Sequence, residues 1–214
     1  MPISPQASPL TCEKDLIQNI VDIKTGKSKA HQDVQHPTIF HELLESDLPP
    51  EEKTLQRLGD EAQIVFGAGV ETTAWILCAA SFYILNSPSI LAKLREELVN
   101  EIPDVKERLD WVRLEKLPYL TACIHEALRL GYGTTNRSPR ISRGETRHGD
   151  WIIPAGVPVS MSTPHVHHNE KIFPNSHEFI PERWLDNPRT SNGSPLSRYL
   201  VSFDKGSRSC LGIK

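Results

Sequence analysis

The upstream chain must serve ten residues near its C-terminal end, Phe203-Asp204-Lys205-Gly206-Ser207-Arg208-Ser209-Cys210-Leu211-Gly212. Gly206 lets the backbone enter conformations closed to residues with a Cβ. Gly212 keeps the far side of the sulfur free of side-chain bulk. Arg208 sets a fixed positive charge beside the Cys210 thiol, which favours thiolate. Phe203 can lay an aromatic face over the loop. A thiolate in a tight, partly apolar, glycine-rich loop suits a soft metal ligand on an open coordination face.

The other cysteines, Cys12, Cys78 and Cys123, are widely scattered and form no C-x-x-C. That argues against a zinc site and a disulfide-stapled secreted domain. Cys78 and Cys123 lie in apolar helical patterns and read as small buried hydrophobes. With 24 basic and 27 acidic residues the net charge is −3, which leaves no electrostatic footprint for nucleic acid. The N-terminus lacks the basic region and apolar core of a signal peptide. The longest apolar run, Ala74 to Leu85, reads as a buried helix too short to span a bilayer. A length of 214 residues allows one or two domains.

Residues 1–37 read as weakly ordered, with a short helix from Asp15 to Lys24. Gly26-Lys27-Ser28 resembles the end of a phosphate-binding loop, but Val21 stands where its first glycine is required. His31, His36 and His41 recur every five residues, share no helical face, and read as surface residues. Thr38 to Glu45 reads as a short helix. A long central helix is expected over 50–85, opened by Pro49-Pro50-Glu51-Glu52. Its stripe is Leu55, Leu58, Ala62, Val65, Phe66 and Gly69, and its second half is apolar all round, as in a helix through a protein interior. Ser87-Pro88 starts the next helix, with Leu91, Leu94 and Leu98 inward, and Asp110 to Lys116 gives a turn or two. A helix follows over 118–130, with Leu120, Ile124, Ala127 and Leu128 inward and Gly131 and Gly133 as stop signals. Short strands are expected over Arg137–Ser142, Glu145–His148, Trp151–Ile153 and Val157–Ser162. His165, His167 and His168 read as solvent-exposed loop residues, because no acidic or cysteine partner completes a metal cluster. Ile172 to Trp184 is an aromatic, proline-rich meander. The fold class is mainly α with a small β-sheet.

Two stretches inside this framework break local rules. Gly67-Ala68-Gly69-Val70-Glu71-Thr72-Thr73 puts glycines and threonines in mid-helix, where they lower helix propensity. The small residues would let a flat ligand approach the backbone, and Thr72 can bond the Ala68 carbonyl and bend the helix. Close packing of another helix at the glycines is the alternative. Glu126 and Arg129 are helical neighbours. They form either an exposed ion pair or, with Arg183 of Pro181-Glu182-Arg183-Trp184, a carboxylate between two guanidiniums for which burial is tolerable.

These motifs together resemble the cytochromes P450. The cysteine stretch fills every fixed position of the family's F-x-x-G-x-R-x-C-x-G haem loop. The central segment resembles the oxygen-activation motif [AG]-G-x-[DE]-T-[TS], and the E-x-x-R and P-E-R-[FW] elements follow in family order. The resemblance covers about Thr38 to Lys214 and is closest to fungal microsomal members. It implies a partial P450 fold: central oxygen-activation helix (50–85), E-x-x-R helix (118–130), small sheet, meander, and haem loop (203–212). By resemblance Cys210 is the axial thiolate of haem b, a ligand that favours O–O cleavage, and Arg208 pairs with a propionate. Arg140 reaches the second propionate or is an exposed strand cation. Phe203, Gly206, Gly212, Ala68 and Gly69 complete the cofactor contacts. Thr72 hydrogen-bonds the oxygen bound there, and Glu71 delivers protons from solvent. Glu126, Arg129 and Arg183 lock the cysteine loop. Phe66, Val70, Thr134 and Thr135 line the substrate side.

The implied reaction inserts one atom of O2 into a lipophilic substrate. Electrons come from NADPH through NADPH–cytochrome P450 reductase at the cytosolic face of the endoplasmic reticulum. Two departures from the family pattern are that the membrane anchor and early helices do not precede this region, and that the chain stops two residues after Gly212. The expectation is a P450 clipped at both ends, without an anchor and cytoplasmic if made alone. Its alternatives are an inactive fragment that cannot retain haem, or a peroxide-dependent or isomerising relative. Glu71 and Thr72 disfavour the last.

Overall fold

A computed structural model describes residues 9–28, 38–104 and 110–213. His31 and His36 lie outside these residues. The chain divides into two compact units, Met1–Glu71 and Thr72–Lys214.

In the first unit, α1 (Pro9–Lys24) and α2 (Ile39–Glu45) precede a 3-10 turn, Pro50–Lys53, and the start of α3 (Leu55–Leu85). α1 starts earlier than expected and is closed by Gly26 at φ 69°, where the Lys27 N–H returns to the Asp22 carbonyl at 2.9 Å. Thr38 caps α2 by accepting the His41 amide. The expected continuous helix from residue 50 is interrupted at Thr54, whose ψ is 152°. Its hydroxyl accepts the Arg57 N–H at 3.3 Å. Two prolines favour extended backbone before the turn, and a threonine cap starts α3 anew. Ile20, Leu58 and Ala62 form a small core, ringed by Leu16, Phe40, Leu43 and Leu44. The Lys53 ammonium closes α2 by donating to the Leu44 carbonyl at 3.0 Å and to that of Ser46.

The predicted stripe of α3 is buried only at Leu58 and Ala62, together with Gly59. Val65, Phe66, Val70, Trp75, Leu77, Phe82 and Leu85 are exposed, which corrects the expectation of a buried second half. Cys78 is exposed with them, contrary to its reading as a buried hydrophobe. The reason is that few described side chains reach this stretch. The whole helix is long and apolar enough to cross a membrane by length and composition, although the run Ala74–Leu85 alone is not.

In the second unit, α4 (Pro88–Glu101), α5 (Trp111–Leu114) and α6 (Pro118–Gly131) follow α3. Ile90 and Leu94 of α4 pack on Tyr119 and Cys123 of α6, with Ile84, Leu98, Leu120, Phe179 and Leu185 around them. Burial of an isoleucine or leucine such as Ile90 or Leu94 contributes about 1.5–3 kcal/mol. Ile124, expected inward, is exposed. The Glu97 carboxylate crosses from α4 to accept the Tyr119 and Leu120 amides at 2.7 and 2.8 Å. A negative charge on the N-terminus of α6 is stabilising there. At the other end Tyr132 and Gly133 turn left-handed, at φ 62° and 66°.

The strands form two antiparallel pairs. β1 (Arg140–Ile141) pairs with β4 (Pro158–Val159), and β2 (Thr146–His148) pairs with β3 (Trp151–Ile153) inside that loop. The hairpin β2–β3 is thus nested between the strands of the outer pair. The chain then makes α7 (Thr163–His167) and 3-10 turns at Pro181–Trp184, Leu196–Tyr199 and Leu211–Ile213.

Candidate functional site

Glu126, Arg129 and Arg183 lie together. Glu126 and Arg129 occupy one face of α6 three residues apart, and their side chains are 0 % exposed. Arg129 forks onto the carboxylate, with Nε to Oε2 at 2.9 Å and Nη2 to Oε1 at 2.8 Å. Arg183 Nε donates to Oε1 at 2.9 Å. Two further donors were not foreseen: the Ile180 amide to Oε1 at 3.0 Å and the Trp184 indole N–H to Oε2 at 2.8 Å. Burial alone would raise the Glu126 carboxyl. The Arg129 bonds and charge, the Ile180 amide and the Arg183 charge together hold it below its ordinary value. Arg129 spends its remaining donors on the carbonyls of His167, Ser176 and Glu178, at 2.9, 2.6 and 3.0 Å. A buried pair this fully bonded ties α6 both to His167 of the segment 163–167 and to the meander.

The histidine cluster differs from its sequence reading. His165 is exposed, but His167 is fully buried and His168 half-buried. His167 Nδ1 lies 2.8 Å from the Arg129 carbonyl, and its Nε2 accepts the Val201 amide at 3.0 Å. His168 bonds the Tyr132 hydroxyl at 2.5 Å and stacks on His177. A five-residue helix has too little periodicity to mark one histidine as buried, so no sequence signal could have found His167. Among the described residues no cluster of three His, Cys, Asp or Glu could hold a bare metal ion.

Immediately after Val201, the Ser202 hydroxyl donates to the Leu128 carbonyl at 2.7 Å. Gly133 abuts the same residue so closely that a Cβ there would stand 2.5 Å from the Ser202 carbonyl oxygen. A Cβ at Gly131 would likewise meet Ile76, and Trp75 donates its indole N–H to the Gly131 carbonyl at 3.0 Å. The segment leading to the cysteine is therefore seated on the end of α6.

From there the loop turns through Asp204 at φ 60° and Gly206 at φ 87° and closes with the Cys210 amide on the Phe203 carbonyl at 2.9 Å. Phe203 is half-buried, and Arg208 and Cys210 are exposed. A Cβ at Gly212 would lie 3.8 Å from the Cys210 sulfur, so glycine leaves that flank bare. Among the described residues no second metal-ligating side chain joins this exposed thiol in a cluster, so the donor set would suit an iron whose other ligands come from a macrocycle. Arg140 is exposed and pairs with Asp204 at 2.9 Å, which joins β1 to the loop.

Within α3, a Cβ built on Gly67 or Gly69 meets nothing within 4 Å. Ala68, Gly69, Glu71 and Thr72 are exposed. Phe66, Val70, Thr134 and Thr135, expected on the substrate side, are exposed as well.

A family model described as Cytochrome P450 matches residues 11–214. The chain is 47 % identical over 210 residues to cytochrome P450 monooxygenase astB of Talaromyces wortmannii, covering 94 % of this chain and 41 % of that protein. Cytochrome P450 monooxygenase MO6277 of Ascocoryne sarcoides is 46 % identical over 91 % of this chain and 39 % of its own length. Cytochrome P450 monooxygenase sdnE of Sordaria araneosa is 51 % identical over 83 % and 35 %. The chain thus spans between 35 and 41 % of the length of these three relatives.

Proposed function

Because this chain belongs to the cytochrome P450 family, we propose that it carries the cofactor-holding part of a haem-thiolate monooxygenase, which inserts one oxygen atom of O2 into a lipophilic organic substrate. The observation that carries this reading is the Cys210 loop, which turns left-handed at Gly206, is closed by the bond from the Cys210 amide to the Phe203 carbonyl, and leaves the cysteine exposed. Haem b, when bound, supplies activation of O2 that side chains cannot. Cys210 holds the iron through its thiolate. Arg208 offers its guanidinium to one propionate, and Arg140 offers its own to the other by exchanging Asp204. Phe203, Gly206 and Gly212 shape the loop around the sulfur. Ala68 and Gly69, with a methyl group and no side chain, let a flat group come close to the helix. Glu71 collects protons from solvent and the Thr72 hydroxyl hands them on, as a carboxylate followed by a hydroxyl can. Phe66, Val70, Thr134 and Thr135 face the substrate. Glu126, Arg129 and Arg183 support the loop and do no chemistry. Electrons arrive from NADPH through NADPH–cytochrome P450 reductase at the cytosolic face of the endoplasmic reticulum membrane.

The test is haem titration of the chain followed by reduced carbon monoxide difference spectra. Cys78→Ser and Cys123→Ser should keep the band of thiolate-ligated haem, and Cys210→Ser should abolish it. A band that survives without Cys210 refutes the assignment. A second reading, a chain that shares these motifs without retaining haem, draws on the exposure of Val65, Phe66, Val70, Trp75, Leu77 and Phe82. Wild-type chain that returns free of haem from size exclusion would favour it.

A further inference from the structure

His167 stands where three segments meet, and neither the thiolate assignment nor the proton path uses it. Its ring has no solvent exposure. The Val201 backbone N–H at Nε2 can only donate, and the Arg129 carbonyl at Nδ1 can only accept, so the proton resides on Nδ1. Phe173 meets the ring edge-on at 6.1 Å and Tyr132 covers another side. Burial, reinforced by the Arg129 charge, pushes the ring down to about 4, so it is neutral near pH 7. The next residue, Ser202, has its own bond to α6 through Leu128, and Phe203 then receives the Cys210 amide.

We propose that His167 is a positioning residue: as the Nδ1–H tautomer between the Arg129 carbonyl and the Val201 amide, it sets the register of residues 201–203 and, through the Phe203–Cys210 bond, the aim of the Cys210 sulfur. Its importance for the cofactor rests on the reading of Cys210 as the iron ligand. The positional claim itself can be measured on the chain without haem. A neutral imidazole accepts on one side and donates on the other at a fixed separation. Glutamine reproduces only the Nε2 side, asparagine only the Nδ1 side, and phenylalanine neither.

The experiment is residue-resolved amide hydrogen exchange on the 214-residue chain with His167→Phe, His167→Gln and His167→Asn. Losing one hydrogen bond of ordinary strength corresponds to about tenfold faster opening. The Val201 and Cys210 amides should therefore exchange about tenfold faster in H167F and H167N and return toward wild type in H167Q. The amides of Ile90, Leu94 and Cys123 should stay unchanged. H167F exchange within twofold of wild type at Val201 and Cys210 overturns the proposal. So does an equal acceleration of the α4–α6 core, because His167 would then merely hold the fold. If H167F fails to fold, the contrast between H167Q and H167N decides: equal exchange at Val201 in those two overturns it. Failure of the thiolate reading appears elsewhere, as a carbon monoxide band retained in C210S, and leaves these exchange rates untouched.

Discussion

Replacing Glu126 by glutamine keeps the shape of the side chain and removes one charge and one acceptor. Five donors point at the two carboxylate oxygens, three at Oε1 and two at Oε2. The new amide nitrogen must take one of these places, so at least two donors lose their acceptor and meet an N–H instead. Two guanidiniums lose their common counter-charge at a site with no water access. Breaking a buried pair from one side costs about 3–5 kcal/mol, and each orphaned buried donor about 1–3 kcal/mol within that total. Domain stability is only about 5–15 kcal/mol, so Glu126→Gln should bring the fold near its limit. Trp184 donates to Glu126, whereas Trp75, Trp111 and Trp151 are 58, 68 and 76 % exposed. Tryptophan emission during urea unfolding therefore reports mainly on this cluster. The expected result is a lower midpoint at unchanged slope, equivalent to about 3 kcal/mol or more. Arg183→Met should then cost less in the Glu126→Gln background than in wild type. A loss below about 1 kcal/mol would show that the five bonds do not hold the meander on α6.

Acid should also destabilise the fold through His167, which falls from 6.5 unfolded to about 4 folded. The unfolded chain binds the extra proton between these values, so this contribution is whole above about pH 6.5 and lost as pH falls toward 4, for a total of roughly 3 kcal/mol. Arg129 and Glu126 on α6 and His168, the residue that ends α7, are the titratable and charged neighbours in play. Unfolding at stepped pH should show that slope in wild type and lose it in H167Q; an identical slope in both would assign it to other groups. Thiol labelling in native buffer should modify Cys78 and Cys210 and spare Cys123, which is buried and pushed up to about 12. Labelling of Cys123 at the rate of the other two would mean that the α4–α6 core is open. In the complete monooxygenase proposed above, Thr72→Ala should leave the absorption spectrum normal and send more NADPH to hydrogen peroxide and less to product. An unchanged ratio of product to NADPH would count against the proton relay.

The elements that rest on strong local signals were legible. Pro118 and Gly131–Gly133 bracket α6, and Glu126, Arg129 and Arg183 could be paired from spacing and motif. The cysteine loop was legible because phenylalanine, glycines, arginine and cysteine fall at fixed offsets. What escaped depends on long-range partners. Nothing near His167 in sequence announces Val201, which is 34 residues away. Trp184 looked like part of a motif, but its indole N–H finds a carboxylate 58 residues upstream. The second half of α3 looked like a core helix because periodicity reports an apolar surface and not what covers it. Cys78 was misjudged for the same reason. Thr54 interrupts the expected helix because a capping hydroxyl competes locally with helix continuation.

The bond between His167 and the Arg129 carbonyl has a topological consequence. Together with the Tyr132–His168 bond it pins the two ends of residues 133–166 side by side, so both strand pairs form an excursion that leaves and returns at one point. The ion pair from the strands to the cysteine loop, Arg140 with Asp204, is exposed on both sides and contributes less than about 1 kcal/mol. Doubling the length of a closed loop costs only about 0.6 kcal/mol. The excursion can therefore lengthen, shorten or exchange its turns while the seat of the cysteine stays in place. A grafting experiment that swaps residues 142–157 for another hairpin tests that modularity directly.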